Sequence, residues 1–456
     1  MIKVDCDNDV VVHKILEYLT MSFPTIFGES SLYVKIELTE NIISFKSDII
    51  NRKFSFKRSE DTLVNSIKKA IHNNLIDYIE NDDWGILTGI RPTKLFRKLL
   101  RKNEAEISKE ILKTKFLVSE KKAELLNSIV EKELCILDKI NLEDSYSLYI
   151  NVPFCKSICN YCSFNSMLYS EEKSEIYIKK LMDEILREAD YLKKAPTSIY
   201  IGGGTPTSLS TNQIYKLLKV VKDNFKESLE FTVECGRIDT LNEEKLNLLK
   251  DFGVSRISLN PQSSNESISK IINRPINLRD FENKYAMARK LGFDLINMDL
   301  ILGLPTETAD NMIRSIEYAS KLKPENITIH NLSLKKGSKL FERNYHFENS
   351  IDTVIDFSKN YLRNKLYMPY YLYRQKKIIG NGENIGYSQL GKECIYNILI
   401  IEEVQDIIAF GMGSSSKFVS KDGKINQVLN FKNLKDYLNR NDEIFNKKLK
   451  YYANRG

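Results

Sequence analysis

The chain has 456 residues, 42% of them hydrophobic and 28% charged, the composition of an ordinary globular protein long enough for two or three domains. A net charge of +7, with lysine and glutamate interspersed, is too mild for a nucleic-acid surface and suits an acidic substrate. No apolar run reaches the length of a membrane span and the N-terminus lacks a signal-peptide core, so a cytoplasmic protein without a membrane span is expected.

Residues 1 to about 58 alternate β-like runs (Ile2–Val4, Leu32–Leu38, Ile42–Ser47, Lys53–Phe56) with a helix near Val10–Met21. From Asp61 to about Glu133 the period turns helical, with Val64, Ile67, Ile71 and Leu75 at three- and four-residue steps. The run Trp84-Gly-Ile-Leu-Thr-Gly-Ile-Arg-Pro-Thr-Lys94 interrupts it, and Pro92 reads as the first residue of the next helix. From Tyr146 strand-length apolar runs alternate with helices. The strands are Leu148–Val152, Ser198–Ile201, Glu230–Val233, Arg256–Leu259, Leu295–Ile301 and Asn326–His330. Helices fall near 171–194, 210–225, 242–251, 279–291, 307–322 and 351–366. Six β-α units imply an α/β fold, an incomplete (β/α)6 barrel with chemistry at the C-terminal ends of its strands. The expected division is an N-terminal α+β domain over 1–140, the barrel over 141–367, and a C-terminal mixed extension over 368–456 that covers the active site.

Seven cysteines, three of them clustered, exclude a secreted disulfide framework and point to metal work in a reducing compartment. Four histidines (His13, His72, His330, His346) exclude a histidine-rich metal site. The clustered cysteines, Cys155, Cys159 and Cys162, have the spacing C-x3-C-x2-C directly after the first barrel strand. Structural zinc prefers C-x2-C pairs and needs a fourth ligand, and no further Cys or His lies close by. A cubane iron–sulfur cluster takes four thiolates, so a loop supplying three leaves one iron open for a ligand. Tyr161 would cover one face of the cluster or of that ligand. Ile201-Gly-Gly-Gly-Thr-Pro-Thr207 closes the second strand. Glycines there let the backbone approach a small zwitterion, although a plain strand-to-helix turn uses the same residues. Glu234, Gln262 and Asp299 close later strands. Asp299, inside Ile-Asn-Met-Asp-Leu-Ile-Leu, must meet a ligand or an ion-pair partner such as Arg274 or Arg256. Arg91 with Lys94, and Arg374 with Lys376, read either as carboxylate clamps or as structural salt bridges.

Taken together, Tyr-x3-Pro-Phe-Cys-x3-Cys-x-Tyr-Cys followed by Gly-Gly-Gly-Thr-Pro-Thr resembles the radical S-adenosylmethionine superfamily, in particular its oxygen-independent coproporphyrinogen III dehydrogenases. Thr-Gly-Ile-Arg-Pro-Thr-Lys94, Phe-Thr-Val-Glu-Cys-Gly-Arg237, Arg-Ile-Ser-Leu-Asn-Pro-Gln262, Tyr-Leu-Tyr-Arg-Gln-Lys376 and Glu-Asn-Ile-Gly-Tyr387 resemble the HemZ-type branch. The resemblance implies that Cys155, Cys159 and Cys162 hold one [4Fe–4S] cluster. It implies that Tyr149, Gly203 and Glu234 contact S-adenosylmethionine on the open iron. Tyr161, Gly204, Thr205, Gln262, Arg274, Asp299 and Ser333 match positions that line a second S-adenosylmethionine. Ser333 replaces a usual small apolar residue, and Ser163 stands where two-cofactor enzymes carry a further cysteine, so one or two cofactor molecules are implied.

The implied activity is oxidative decarboxylation of two propionates of coproporphyrinogen III to vinyl groups by a 5′-deoxyadenosyl radical, in porphyrin and haem biosynthesis. Its electron source would be a low-potential donor such as flavodoxin or ferredoxin, and no Asp or His would serve as general base. Haem chaperones of the same superfamily are the main alternative, with radical enzymes acting on another tetrapyrrole a further one. The chaperones carry a His-Asn-x2-Tyr-Trp motif where this chain reads Tyr396-Asn-Ile-Leu-Ile-Ile401, without histidine or tryptophan.

Overall fold

The computed structural model describes residues 2–23, 31–58, 62–79, 82–343, 345, 347, 351–420 and 422–452; Asp61 and His346 lie outside them. It comprises two compact units. The first holds residues 1–132 with two later segments, 331–334 and 372–384; the second holds 133–330, 335–371 and 385–456. The units thus divide the chain otherwise than the three-part scheme does. Residues 385–456 group with the barrel, and 372–384 group with the N-terminal residues.

In the first unit, β1 (Ile2–Asp5), β2 (Leu32–Glu37), β3 (Ile42–Lys46) and β4 (Asn51–Ser55) form a sheet in sequence order, around α1 (Asp9–Ser22) and α2 (Leu63–Leu75). The first pair is parallel and the others antiparallel. β2 and β3 alternate buried and more exposed residues, as a sheet with one covered face must. Val34, Ile36, Ile43 and Phe45 meet Ile15, Leu19, Ile67 and Ile71 of the helices in one core. Asn8 caps α1 by accepting the N–H groups of Val10 and Val11. Then follow α3 (Pro92–Leu100), α4 (Ala105–Phe116) and α5 (Glu120–Leu137), with Pro92 at the first helical position as expected.

The Thr-Gly-Ile-Arg-Pro-Thr-Lys run and the segment 372–384 meet within this unit. Arg374 is 1% exposed and donates to the carbonyls of Leu87 (2.5 Å), Asn381 (3.0 Å) and Gly382 (3.3 Å). It also stacks over Trp84, whose indole N–H donates to Glu383 at 2.8 Å. Lys122 pairs with the same carboxylate at 2.5 Å. Arg374 is therefore an internal tie, and Lys376 pairs with Glu17 at 3.1 Å; of the two expectations, the structural one holds for both.

The second unit opens with β5 (Tyr146–Val152), then two two-residue strands, β6 (Phe154–Cys155) and β7 (Met167–Leu168), and α6 (Glu171–Ala189). There follow β8 (Pro196–Gly203), α7 (Thr211–Asn224), β9 (Glu230–Glu234), α8 (Glu243–Asp251), β10 (Arg256–Ser258), α9 (Glu266–Ile271), α10 (Leu278–Lys290), β11 (Leu295–Leu302), α11 (Ala309–Lys321), β12 (Asn326–Asn331), α12 (Lys339–Glu342) and α13 (Asp352–Asn364). The chain ends with β13 (Met368–Tyr373), β14 (Asn384–Ser388), α14 (Ile395–Glu402), β15 (Asp406–Phe410), β16 (Ser415–Val419), β17 (Ile425–Leu429) and α15 (Leu434–Tyr452). The six expected strands lie side by side in the order β5-β8-β9-β10-β11-β12. Their near-continuous burial is that of parallel strands covered on both faces.

Among the described residues the sheet is an open one of eleven strands, with the C-terminal strands at both margins: β14 and β13 beyond β12, and β15, β16 and β17 beyond β5. β15 runs parallel to β5, while β16 and β17 return antiparallel. α14 is held at its N-terminus by Glu230, whose carboxylate accepts the N–H groups of Ile395 and Tyr396, each at 3.2 Å, and pairs with buried Arg256 at 2.9 Å. No helix among the described residues is long and apolar enough to cross a membrane.

Candidate active site

The three cysteines lie on a loop pinned at both ends. β6 and β7 pair across it, Met167 N–H bonds to Pro153 at 2.7 Å and Tyr169 N–H to Cys155 at 2.9 Å. Its middle is tied to the turn after α9. Asn160 donates its backbone N–H to Ile272 (2.9 Å) and its side-chain amide to Ile271 (2.7 Å), and Asn273 answers with a bond to Ile158 at 2.8 Å. Cys155 and Cys159 are buried and Cys162 is half-buried. Burial pushes the Cys155 thiol up, and the Cys162 thiol up to about 11.

Donors face two of the sulfurs: the Thr205 hydroxyl at 3.6 Å from Cys155 Sγ, and Arg237 Nη1 at 3.7 Å from Cys159 Sγ. Arg237 is buried and anchored by Asp239 at 3.0 Å. Gly204 lets the strand end close on the cysteine loop: a Cβ there would stand 3.0 Å from the Cys155 sulfur and 2.7 Å from the Phe154 carbonyl oxygen. Among the described residues no three His, Cys, Asp or Glu side chains converge on a single metal ion. Three thiolates on one loop, two of them facing donors, fit an iron–sulfur cluster.

Strand ends supply the rest. At the end of β8, Gly203 has φ 113° and lies so close to Asn151 that a Cβ would stand 2.0 Å from its side-chain oxygen. A Cβ on Gly202 would stand 2.9 Å from the Glu234 carboxyl carbon. Glu234, at the end of β9, accepts the Tyr200 hydroxyl at 2.5 Å. Burial, aided by the Asp299 charge, pushes the Glu234 carboxyl up to about 7, against the Tyr200 hydrogen bond. Beneath it three tyrosines stack: Tyr200 on Tyr396 at 4.3 Å between ring centroids, with Tyr149 6.2 Å from each. The Tyr149 hydroxyl donates to Asn151 at 3.1 Å.

Asp299, on β11, pairs with neither suggested arginine. Arg256 belongs to Glu230, and Arg274 donates to the carbonyls of Gly236 (2.5 Å) and Asn260 (2.8 Å). The partners of Asp299 are the Asn260 amide at 2.8 Å and His330 at 3.9 Å. Gln262 bridges to β11 through its backbone, and half-buried Tyr161 lies on the cysteine loop. Tyr149, Tyr161, Gly203, Gly204, Thr205, Glu234, Gln262, Arg274 and Asp299 all belong to the second unit. Ser333 belongs to the first unit, where its hydroxyl donates to the Lys376 carbonyl at 2.8 Å. Asn151, Tyr200, Arg237, Asn260, His330 and Tyr396 were missed by sequence reasoning. Three of them stood in runs the sequence singled out: Arg237 ends Phe-Thr-Val-Glu-Cys-Gly-Arg, Asn260 lies in Arg-Ile-Ser-Leu-Asn-Pro-Gln262, and Tyr396 opens Tyr-Asn-Ile-Leu-Ile-Ile.

Residues 149–319 match the Radical SAM superfamily. The oxygen-independent coproporphyrinogen-III oxidase-like protein HemZ of Bacillus subtilis is 36% identical over 431 residues, covering 91% of this chain and 85% of that protein. The chain belongs to the radical SAM superfamily, in its HemZ-like branch. Membership implies a 4Fe–4S cluster and S-adenosylmethionine, and the cysteine tripod fits both. The heme chaperone HemW of Bacillus subtilis is also 36% identical, over 190 residues that cover 41% of this chain and 50% of that protein. Among solved structures, the coproporphyrinogen III oxidase HemN from Escherichia coli superposes with a TM-score of 0.56 at 22% identity, over 68% of this chain and 72% of that one. That likeness establishes the shared fold, in a HemZ-like chain whose strand ends converge on the cysteine loop.

Proposed function

We propose that this HemZ-like protein is an oxygen-independent coproporphyrinogen III dehydrogenase. It would convert two propionates of a tetra-acidic porphyrinogen to vinyl groups, each giving up carbon dioxide, a hydrogen atom and an electron. The observation that carries the reading is the meeting of a three-thiolate loop, a glycine-lined strand end and the half-buried Glu234 at one end of one sheet. When bound, the reduced cluster and S-adenosylmethionine supply a 5′-deoxyadenosyl radical, able to take hydrogen from an unactivated C–H bond.

The chain's own residues bind and orient. Thr205 and Arg237 point donors at the sulfurs of Cys155 and Cys159. Gly202, Gly203 and Gly204 let the strand end pack against Glu234, Asn151 and the cysteine loop, where any Cβ would clash. Glu234 offers a carboxylate to an ammonium group, held in place by Tyr200. Positioning at near-attack distance, rather than acid–base chemistry, would supply the rate. A cytoplasmic location and a flavodoxin- or ferredoxin-like donor belong to the same reading.

The rival, a haem chaperone, gains no support from Tyr396-Asn-Ile-Leu-Ile-Ile401. Tyr396 is buried in the tyrosine stack and its N–H is bonded to Glu230, so the run offers no exposed ligand for haem iron. Anaerobic incubation with coproporphyrinogen III, S-adenosylmethionine and a reductant tests the proposal. The expected products are protoporphyrinogen IX, carbon dioxide, methionine and 5′-deoxyadenosine. Uncoupled 5′-deoxyadenosine with unchanged porphyrinogen, or tight stoichiometric haem binding without turnover, would contradict it.

A further inference from the structure

The strap that leaves β12 for α12 carries the run Leu334-Lys-Lys-Gly-Ser-Lys-Leu340, which the site described so far does not use. From Lys335 on it belongs to the second unit, as the cysteine loop does. Its backbone is fixed. Ser338, 1% exposed, donates its N–H (3.1 Å) and its hydroxyl (3.0 Å) to the Lys335 carbonyl and accepts the Phe341 N–H at 3.2 Å. Gly337 supplies the φ of 96° that this turn needs. Leu340 is 5% exposed and donates its N–H to the Asn160 carbonyl at 2.9 Å. Asn160 stands between Cys159 and Tyr161, so one hydrogen bond joins the strap to the neighbour of a cluster ligand.

On this fixed backbone Lys335, Lys336 and Lys339 are exposed, and among the described residues none of them pairs with a carboxylate. From Lys335 to Arg343 the run holds three lysines and an arginine against one carboxylate, Glu342. Protein packed around the Lys335 ammonium group lowers its pKa from the ordinary lysine value, and no counter-charge offsets that. Other lysines of this unit find carboxylates close at hand, as Lys194 does in Asp144 and Lys216 in Glu175. Ile271, whose carbonyl accepts the Asn160 side-chain amide at 2.7 Å, leaves 44% of its surface exposed. A row of unanswered cations with apolar surface at the edge of the cysteine loop fits an amphiphilic polyanion.

We propose that Lys335, Lys336 and Lys339 hold the carboxylates of the substrate that are not reacting. The proposal deepens the reaction proposed above and rests on it for the identity of the acid. A tetra-acidic porphyrinogen leaves three propionates outside the chemistry while the fourth gives up its hydrogen. Lysine suits this task better than arginine for a physical reason. Two propionates must reach the same radical in turn, so the macrocycle changes pose between the two rounds and its other carboxylates change place. A guanidinium fork favours one planar geometry. An ammonium group on a flexible four-carbon stem is a point charge with three rotatable donors, and it follows a carboxylate to a new position. The rigid turn keeps the three stems rooted beside the cysteine loop while their charged ends move.

The test is a fluorescence titration of the reconstituted full-length protein with coproporphyrin III and with its tetramethyl ester. Lys335→Gln, Lys336→Gln and Lys339→Gln combined in one chain should weaken binding of the acid about tenfold, the sum of three partly exposed ion pairs, and leave binding of the ester unchanged. Affinity of that variant for the acid should also fall less steeply than the native protein's as salt rises from about 50 to about 300 mM, because fewer charge pairs remain to be screened. Its iron content should equal that of the native protein. Lys335→Arg, which keeps the charge, should bind the acid nearly as the native protein does. Glutamine at Lys216, Lys219 and Lys222 of α7 removes the same net charge elsewhere and should change neither titration. With turnover, the loss should fall on KM more than on kcat.

Native affinity for the acid in the combined strap variant overturns the proposal. So does an equal loss in the α7 variant, which would make the effect one of net charge, or an equal loss for the ester, which would make it one of shape. No binding of coproporphyrin III by the native protein overturns this inference and the tetrapyrrole reading together. Lysine-dependent binding of the acid without turnover of coproporphyrinogen III contradicts the proposed reaction and leaves this inference standing.

Discussion

The Tyr200 hydroxyl and the Glu234 carboxylate decide what this site does near neutral pH. Burial pushes Glu234 up to about 7, and the Tyr200 bond at 2.5 Å opposes that rise. A cationic ammonium needs the carboxylate form. Affinity for S-adenosylmethionine should therefore weaken as pH falls below about 7, where binding must first release the proton, and level off above it. Tyr200→Phe removes the opposing hydrogen bond, so the turning point moves to higher pH and affinity at neutral pH falls about tenfold, the scale of one hydrogen bond to a charged group. Isothermal titration of reconstituted protein across this range measures both. Gly204→Ala places a Cβ 3.0 Å from Cys155 Sγ and 2.7 Å from the Phe154 carbonyl; it should yield a folded chain that loads little cluster, read by iron content and visible absorption. These residues differ in how legible they were. Three cysteines and three glycines declare themselves by spacing. Asn260, though it lies in the Arg-Ile-Ser-Leu-Asn-Pro-Gln262 run, and His330 gave no sign in the sequence that the fold brings both to Asp299.

Elements tell a similar story. The six barrel strands were readable because each is buried on both faces and so apolar throughout, and their order follows from short β-α connections. α9 was missed: six residues, Glu266–Ile271, are too few for a helical period to show. β15 could not be placed beside β5 from the sequence, since Ile407 and its partner Ser147 lie far apart in the chain and no local pattern names a partner. α14 had been read only for its missing haem ligands; its packing depends on Glu230, which caps it and neutralises Arg256. Glu230→Gln uncaps α14 and leaves Arg256 buried without its counter-charge. It should cost about 3–5 kcal/mol, the price of breaking a buried ion pair, and appear as a lowered thermal midpoint.

At the scale of the whole molecule, pH-dependent stability has a named contributor. Glu307 is 2% exposed and accepts the N–H groups of Gly303 and Leu304 and the Ser263 hydroxyl. Burial outweighs those bonds and pushes its carboxyl up to about 7 from an ordinary 4.5. The folded state therefore holds this proton where the unfolded chain has lost it. The resulting stability is full below about pH 4.5 and is lost as pH rises through about 7, a difference of roughly 3 kcal/mol. Glu307→Gln should flatten that slope in denaturant titrations repeated across the range. The division of the chain was less legible than its strands, because 331–334 and 372–384 join the N-terminal residues through contacts such as Trp84 with Glu383 that span most of the sequence.

The central claim is that Cys155, Cys159 and Cys162 hold a four-iron cluster with one iron open to S-adenosylmethionine. Electron paramagnetic resonance of anaerobically reconstituted, reduced protein, recorded with and without S-adenosylmethionine, tests it most directly. One [4Fe–4S] signal per chain that shifts on adding the cofactor, and is lost when serine replaces any of the three cysteines, is the predicted result. A chain that assembles no four-iron centre, or a signal indifferent to S-adenosylmethionine, would contradict it.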